Sequence, residues 1–183
     1  YLKVKQGDEI VYVMAAREAI LKEKGPYEIV DRVQGSSLAG LEYESPFEDL
    51  PAQQGIVHKV VAWTEVLDTD GTGVVHIAPG CGKEDFQLGK ELGLAVVAPL
   101  DELGQFLPNF GEFTGKAAGE VAQRVVAALK ERGILYKQEH YKHSYPLCWP
   151  CSSEVLFRLV DEWFIHMGDK LEKPDSEVTP EEK

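Results

Sequence analysis

The stretch Gly71-Thr72-Gly73-Val74-Val75-His76-Ile77-Ala78-Pro79-Gly80-Cys81-Gly82-Lys83-Glu84-Asp85 sets glycines, a histidine, a proline and a carboxylate at fixed steps with little filler, and that density marks a site. Asp70-Gly71 with Gly73 reads as a tight turn that uses the freedom of glycine at positive φ. Val74 and Val75 then begin a strand that carries His76, Ala78-Pro79-Gly80 breaks it, and Gly82-Lys83-Glu84-Asp85 opens a helix running through Phe86, Leu88 and Leu92. The predicted unit is strand, break, helix.

At about 100° per residue, Leu88, Gly89 and Leu92 lie within roughly 60° of Asp85 around that helix, which puts Asp85 on the inward face. A carboxylate there needs a partner, either the orphan N–H groups of its own helix start or a cation brought from outside. Capping is the plain reading of Asp85. For a lone strand histidine such as His76, the plain reading is a satisfied core or rim residue. The stretch shows neither the G-x-G-x-x-G nor the G-x-x-x-x-G-K-[ST] spacing, so it does not read as a phosphate loop.

Outward from this unit, strand-like runs occur at Leu2–Lys5, Glu9–Met14, Tyr27–Val33, Ile56–Trp63, Val74–Ala78, Leu94–Ala98, Ile134–Lys137 and Val155–Val160. Helices are predicted at Ala15–Lys24 before Gly25-Pro26, at Lys83–Leu92 before Gly93, and at Ala117–Arg132. In the last of these Val121, Val125, Ala128 and Leu129 form one apolar stripe, Glu120 favours the start, and Lys130 and Arg132 favour the end before Gly133. Short strands with interspersed helices, without strict βαβ alternation, predict a mixed α/β fold with a β-barrel-like core decorated by helices.

With 183 residues and 44% hydrophobic content the chain can bury one substantial core, and one domain with an appendage is expected. No apolar run approaches the roughly 18 residues that cross a membrane, and no basic-then-apolar leader precedes Tyr1, so a cytoplasmic protein without membrane partners is expected. Three cysteines, two of them in C-x-x-C spacing, make no disulfide framework and suit a reducing compartment. A net charge of −12 argues against a free-standing nucleic-acid binder, because phosphate neutralisation calls for a basic surface. Asp169–Lys183, with six acids, three bases and two prolines, reads as a solvated, flexible tail.

The central stretch resembles the editing domain inserted into isoleucyl-tRNA synthetases, whose signature G-T-G-aliphatic-V-H-x-A-P-x-x-G-x-x-D is filled by Gly71, Thr72, Gly73, Val75, His76, Ala78, Pro79, Gly82 and Asp85. The sister domains of the valyl and leucyl enzymes differ at the positions of His76 and Gly82, so the isoleucyl assignment rests on those two. Ser144-Tyr145-Pro146-Leu147-Cys148-Trp149-Pro150-Cys151 and Trp163-Phe164-Ile165 are similar to the family's S-Y-P-x-C-W-x-C and W-[FY]-I segments, where the chain returns to the synthetase body. Gly35-Ser36-Ser37-Leu38-Ala39-Gly40-Leu41-Glu42-Tyr43 with Pro46-Phe47 also fits, and the resemblance reaches about Gly168. The implied division is an editing domain over 1–168, with 144–168 as the return segment, and the tail over 169–183.

The resemblance implies a function. Rejecting valine for its missing methylene is worth only about 1–3 kcal/mol, and isoleucyl enzymes are themselves the measured example of this limit, at roughly 150-fold. Proofreading supplies the rest, by hydrolysis of the ester in valyl-tRNA(Ile). Attack is by water, since no Ser, Cys or Thr stands in a nucleophile-base arrangement. The implied catalytic pair is Asp85, binding the α-ammonium of the misattached amino acid, and His76, near its side chain or the terminal ribose. Gly71, Thr72, Gly73, Ala78, Pro79 and Gly82 would shape the wall of the pocket. The implied partners are tRNA(Ile) carrying the wrong amino acid and the remainder of the synthetase in cis. Editing itself needs no cofactor, and ATP and magnesium belong to a synthetic domain that this chain does not contain.

Cys148 and Cys151 have the spacing of a zinc half-site, against free thiols as the plain alternative. In the family a second C-x-x-C ahead of the inserted domain completes such a site, so zinc is expected only in the full-length enzyme. The family also carries a threonine-rich strand about twenty residues ahead of the point matching Tyr1-Leu2-Lys3-Val4, and the sequence shows no such run. The expectation is therefore a chain that begins inside its domain. The rival is a non-catalytic module that binds the tRNA terminus or partner domains. A zinc-dependent nucleic-acid binder on Cys148 and Cys151 is disfavoured by charge and by the missing ligands.

Overall fold

The computed structural model describes residues 1–69, 71–140, 144–163 and 165. Asp70, His143, Phe164 and the acidic stretch Asp169–Lys183 lie outside the described residues.

Three strands form one antiparallel sheet: β1 (Leu2–Gln6), β2 (Glu9–Val13) and β3 (Glu28–Arg32), in the order β2-β1-β3. Gly7 at φ 63° supplies the positive dihedral of the two-residue β1–β2 hairpin, which pairs Gln6 with Glu9 and Leu2 with Val13. On the other side of β1, Lys3 faces Asp31 and Val4 faces Ile29, so Val30 is an extra, bulged residue. Period-two alternation buries Leu2 and Val4 completely, and they join Val13 and Leu21 in the first core, backed by Val11, Tyr27, Ile29 and Tyr136.

The sheet is open, which corrects the predicted barrel-like core. Among the described residues, Ile56–Trp63, Val74–Ala78, Leu94–Ala98, Ile134–Lys137 and Val155–Val160 build no strand of a ladder, and beyond the sheet pairing is confined to isolated bridges such as Glu42–Lys59. The reason is physical: β-branched residues favour extended backbone, yet a strand exists only where a second one hydrogen-bonds it. Val74, Val75 and Val96 instead stay about half exposed.

Ala15–Lys24 winds as a 3₁₀ helix and not as the α-helix its sequence suggests. The Gln6 side-chain amide donates to the Leu21 carbonyl at 2.9 Å and to that of Gly25 at 3.2 Å, tying the end of this helix to β1. Helix α1 covers Lys83–Leu92 between Gly82 and a left-handed Gly93, as its end signals predict. Helix α2 covers Ala118–Glu131 and buries Val121 and Ala128 from its apolar stripe. Val121 packs with Phe110 and Phe113 in a second core, where Phe47 meets Phe113 edge-on at 5.7 Å. Arg132 at the C-terminal end of α2 forks onto Asp49 at 3.0 and 3.2 Å, fixing the helix to the loop that carries Phe47.

Candidate functional site

The loop that begins the glycine-rich stretch is held by the sheet and by the 3₁₀ helix that follows it. Gly71 and Gly73 adopt φ of 54° and 79°, as a tight turn demands. The Met14 amide donates to the Thr72 carbonyl at 2.8 Å, and the Tyr1 hydroxyl donates to the Gly73 carbonyl at 2.6 Å. Arg17 donates from Nε to the Gly71 carbonyl at 2.9 Å and from Nη1 to the Thr69 carbonyl at 2.8 Å. A Cβ on Gly73 would fall 2.4 Å from that of Met14, so glycine is required there by contact as well as by dihedral.

The far end of the stretch forms a second anchored unit. Asp85, in the first turn of α1, reaches back so that its Oδ2 accepts the Ala78 amide at 3.0 Å. The Cys81 and Gly82 amides both donate hydrogen bonds to the Ala78 carbonyl, at 2.9 and 3.2 Å. A Cβ on Gly82 would lie 2.7 Å from Asp85 Oδ2, and this closeness explains the glycine ahead of the helix. Pro79 is buried against Gly89 of α1, where an added Cβ would sit 2.8 Å from its ring. Gly80 lies tighter still, with a hypothetical Cβ 1.8 Å from the Val97 carbonyl oxygen.

Ala78, Pro79, Gly82 and Asp85 are thus brought together, while Gly71, Thr72 and Gly73 form the separate turn on Met14 and Arg17. His76 sits on the extended link between the two units and is exposed, and no hydrogen bond or ion pair joins it to Asp85 among the described residues. Asp85 is half-buried, and no donor among the described residues reaches its Oδ1. The Cys81 thiol is pushed above its ordinary pKa, chiefly by burial and further by the charge of Asp85. A cleft of about 380 Å³ opens beside this unit, with Pro79, Gly82, Lys83 and Phe86 on one wall and Phe157 and Arg158 among the residues of the other.

Tyr1, Met14, Arg17 and Gly80 were not legible as parts of the site. Only Gly80 carried a local signal, in its Pro-Gly-Cys-Gly context; the other three lie more than 50 positions from the turn they hold.

Cys148 and Cys151 occupy one turn, in which the Cys148 amide donates to the Ser153 carbonyl at 2.8 Å and the Ser152 amide to the Cys148 carbonyl at 2.7 Å. The Cys151 thiol is lowered to about 7, first by the Ser153 hydroxyl 2.8 Å away. Two sulfurs on a turn suit half of a tetrahedral zinc site, but no third His, Cys, Asp or Glu joins them among the described residues. These residues therefore do not close a structural site by themselves. No helix among the described residues is long and apolar enough to cross a membrane.

No protein-family model matches the chain. It is similar to the isoleucine–tRNA ligase of Methanothermobacter thermautotrophicus, with 35% identity over 168 residues, 91% of this chain and 16% of that protein. The isoleucine–tRNA ligase of Halorhodospira halophila is 38% identical over 162 residues, 87% of this chain and 17% of that protein, and that of Saccharolobus solfataricus 33% identical over 185 residues, 97% of this chain and 19% of that protein. The chain spans less than a fifth of the length of these relatives.

Proposed function

We propose, for a chain that belongs to the isoleucine–tRNA ligase family as one segment of it, that it is the editing part of such an enzyme and hydrolyses the ester of mischarged valyl-tRNA(Ile) in the cytosol. The observation that carries this reading is Asp85. One of its oxygens is fixed by the Ala78 amide, and no donor among the described residues reaches the other. A carboxylate oriented in this way beside a cleft suits the α-ammonium of an aminoacyl ester. Holding that ammonium places the ester carbonyl for attack by water, the step that positioning accelerates. Pro79 and Gly82 line the cleft and Ala78 adjoins them in the chain, and with side chains this small the terminal nucleotide can come close to backbone. His76, exposed on the link, acts at the rim, where it limits the size of the amino-acid side chain. The rest of the ligase holds the body of the tRNA, as a chain with net charge −12 does not attract phosphate by itself.

A second reading has an observation of its own. The open three-stranded sheet and the exposure of His76 suit a module that binds the tRNA terminus without cutting the ester. One experiment separates the two: deacylation of valyl-tRNA(Ile) by the chain alone, beside a full-length isoleucine–tRNA ligase carrying this sequence as its corresponding segment. Cleavage by the ligase that Asp85→Ala removes supports the editing reading. Cleavage indifferent to Asp85→Ala refutes it, and terminus binding without cleavage in either form selects the module.

A further inference from the structure

Arg17 stands outside the glycine-rich stretch, yet its guanidinium spans the turn before Thr72. Its Nε and Nη1 reach the carbonyls of Gly71 and Thr69 at 2.9 and 2.8 Å. A planar guanidinium presents these two donors in a fixed fork, so it sets the spacing and direction of both carbonyls at once. The backbone of the same segment takes part: the Arg17 amide donates to the Met14 carbonyl, and the Met14 amide donates to the Thr72 carbonyl. Main chain and side chain therefore grip the carbonyls of Thr69, Gly71 and Thr72, and Gly73 is pressed against the Met14 side chain.

We propose that Arg17 is a positioning residue that sets the path of the Gly71-Thr72-Gly73 turn, which the editing reading counts in the wall of its pocket. The proposal rests on the editing reading for its catalytic consequence but not for its structural one. Arg17 touches no reacting atom; it acts through two carbonyls. Lysine cannot replace it, because a single ammonium lacks the fork.

Two measurements test the proposal. Amide hydrogen exchange on the chain should show the Met14 amide exchanging at least about tenfold faster in Arg17→Ala and Arg17→Lys than in the parent, with the Val4 amide of β1 unchanged. In a full-length ligase carrying this segment, both variants should lower kcat for valyl-tRNA(Ile) deacylation about tenfold or more, with KM within about twofold, and millimolar guanidinium should restore part of the rate to Arg17→Ala but not to Arg17→Lys. Unchanged Met14 exchange overturns the proposal. So does equal acceleration of Met14 and Val4, which would make Arg17 a general stabiliser, and so does a deacylation rate equal to the parent's. Asp85→Ala, run alongside, separates the two ideas. If it deacylates like the parent, the editing reading fails while the exchange result still judges Arg17. If it is inactive and Arg17→Ala is not, only the Arg17 proposal fails.

Discussion

Asp85 Oδ2 lies 3.0 Å from the amide nitrogen of Ala78, seven positions earlier, so the carboxylate of one helix start closes the loop that precedes it. This bond makes Asp85 both a structural tie and the holder of an oriented charge. The two roles separate by the size of their effects.

Asp85→Ala in a full-length ligase should lose about 2–3 kcal/mol or more of transition-state stabilisation, a fall of roughly 30- to 150-fold or greater in valyl-tRNA(Ile) deacylation. Loss of the loop tie alone should cost only about 1 kcal/mol of folding stability. The checks are single-turnover deacylation and a denaturant titration of the same variant. A full stability loss with near-parental deacylation would reduce Asp85 to a cap.

His76→Ala should change which ester is cut more than whether one is cut, because the anchor at Asp85 is untouched. Removing a rim group that excludes one methyl relaxes a steric penalty of about 1–3 kcal/mol, so cleavage of isoleucyl-tRNA(Ile) should rise relative to the valyl ester. The readout is the ratio of the two rates under matched conditions. A constant ratio with both rates falling would assign His76 to ribose positioning.

Glycines at two places should respond oppositely to one methyl group. Gly80→Ala drives a Cβ to 1.8 Å from the Val97 carbonyl oxygen, so backbone must move, at about 1–3 kcal/mol or more. Gly119, in the first turn of α2 with nothing within 4 Å of its Cβ position, should gain stability as alanine, by about 0.5 kcal/mol or less so near the helix end. Urea midpoints of the two variants decide the matter.

Two exposed ion pairs give the acid limb of stability its sign. The Arg132 hydrogen bond holds the Asp49 carboxyl below its ordinary 3.8, and the Arg124 hydrogen bond holds that of Glu112 below 4.5. A carboxyl lowered by folding stabilises the fold above its unfolded pKa, and that contribution is lost as pH falls through the folded value. Stability from these two groups should therefore be constant near neutrality and drain away below about pH 4. Asp49→Asn with Glu112→Gln should flatten this part of the curve, measured as urea midpoint against pH; an unchanged acid slope would remove both pairs from the account.

The sequence was informative wherever a segment's state depends on itself. Gly82 and Gly93 bound α1 at the predicted residues, and the stripe of Val121 and Ala128 located α2 within one residue at each end. The runs Leu2–Lys5 and Glu9–Met14 were legible as strands, and they pair with each other as a hairpin. It failed where the outcome depends on a distant partner. Val74–Ala78 and Leu94–Ala98 have strand composition, but nothing in their own residues says whether a second strand stands beside them. Ala15–Lys24 has helical composition, but composition does not distinguish the 3₁₀ winding it takes from an α-helix, and the Gln6 amide that ties its Leu21 carbonyl to β1 lies outside the segment. In the candidate site the proximity of Asp85, Ala78 and Gly82 follows from a short sequence separation, whereas the contact of Arg17 with Gly71 bridges 54 positions and left no local trace.

The open sheet has a practical outcome for anyone who handles the isolated chain. Each outer strand offers one long side without a ladder partner among the described residues, a template on which a second molecule can pair. Glu28, Asp31 and Arg32 on β3 and Glu9 on β2 place charges along those sides, and the overall excess of acid keeps molecules apart near neutrality. That mutual repulsion vanishes toward the isoelectric point near 4.9, so mildly acidic buffers should turn clear solutions cloudy while the fold within each molecule is still intact.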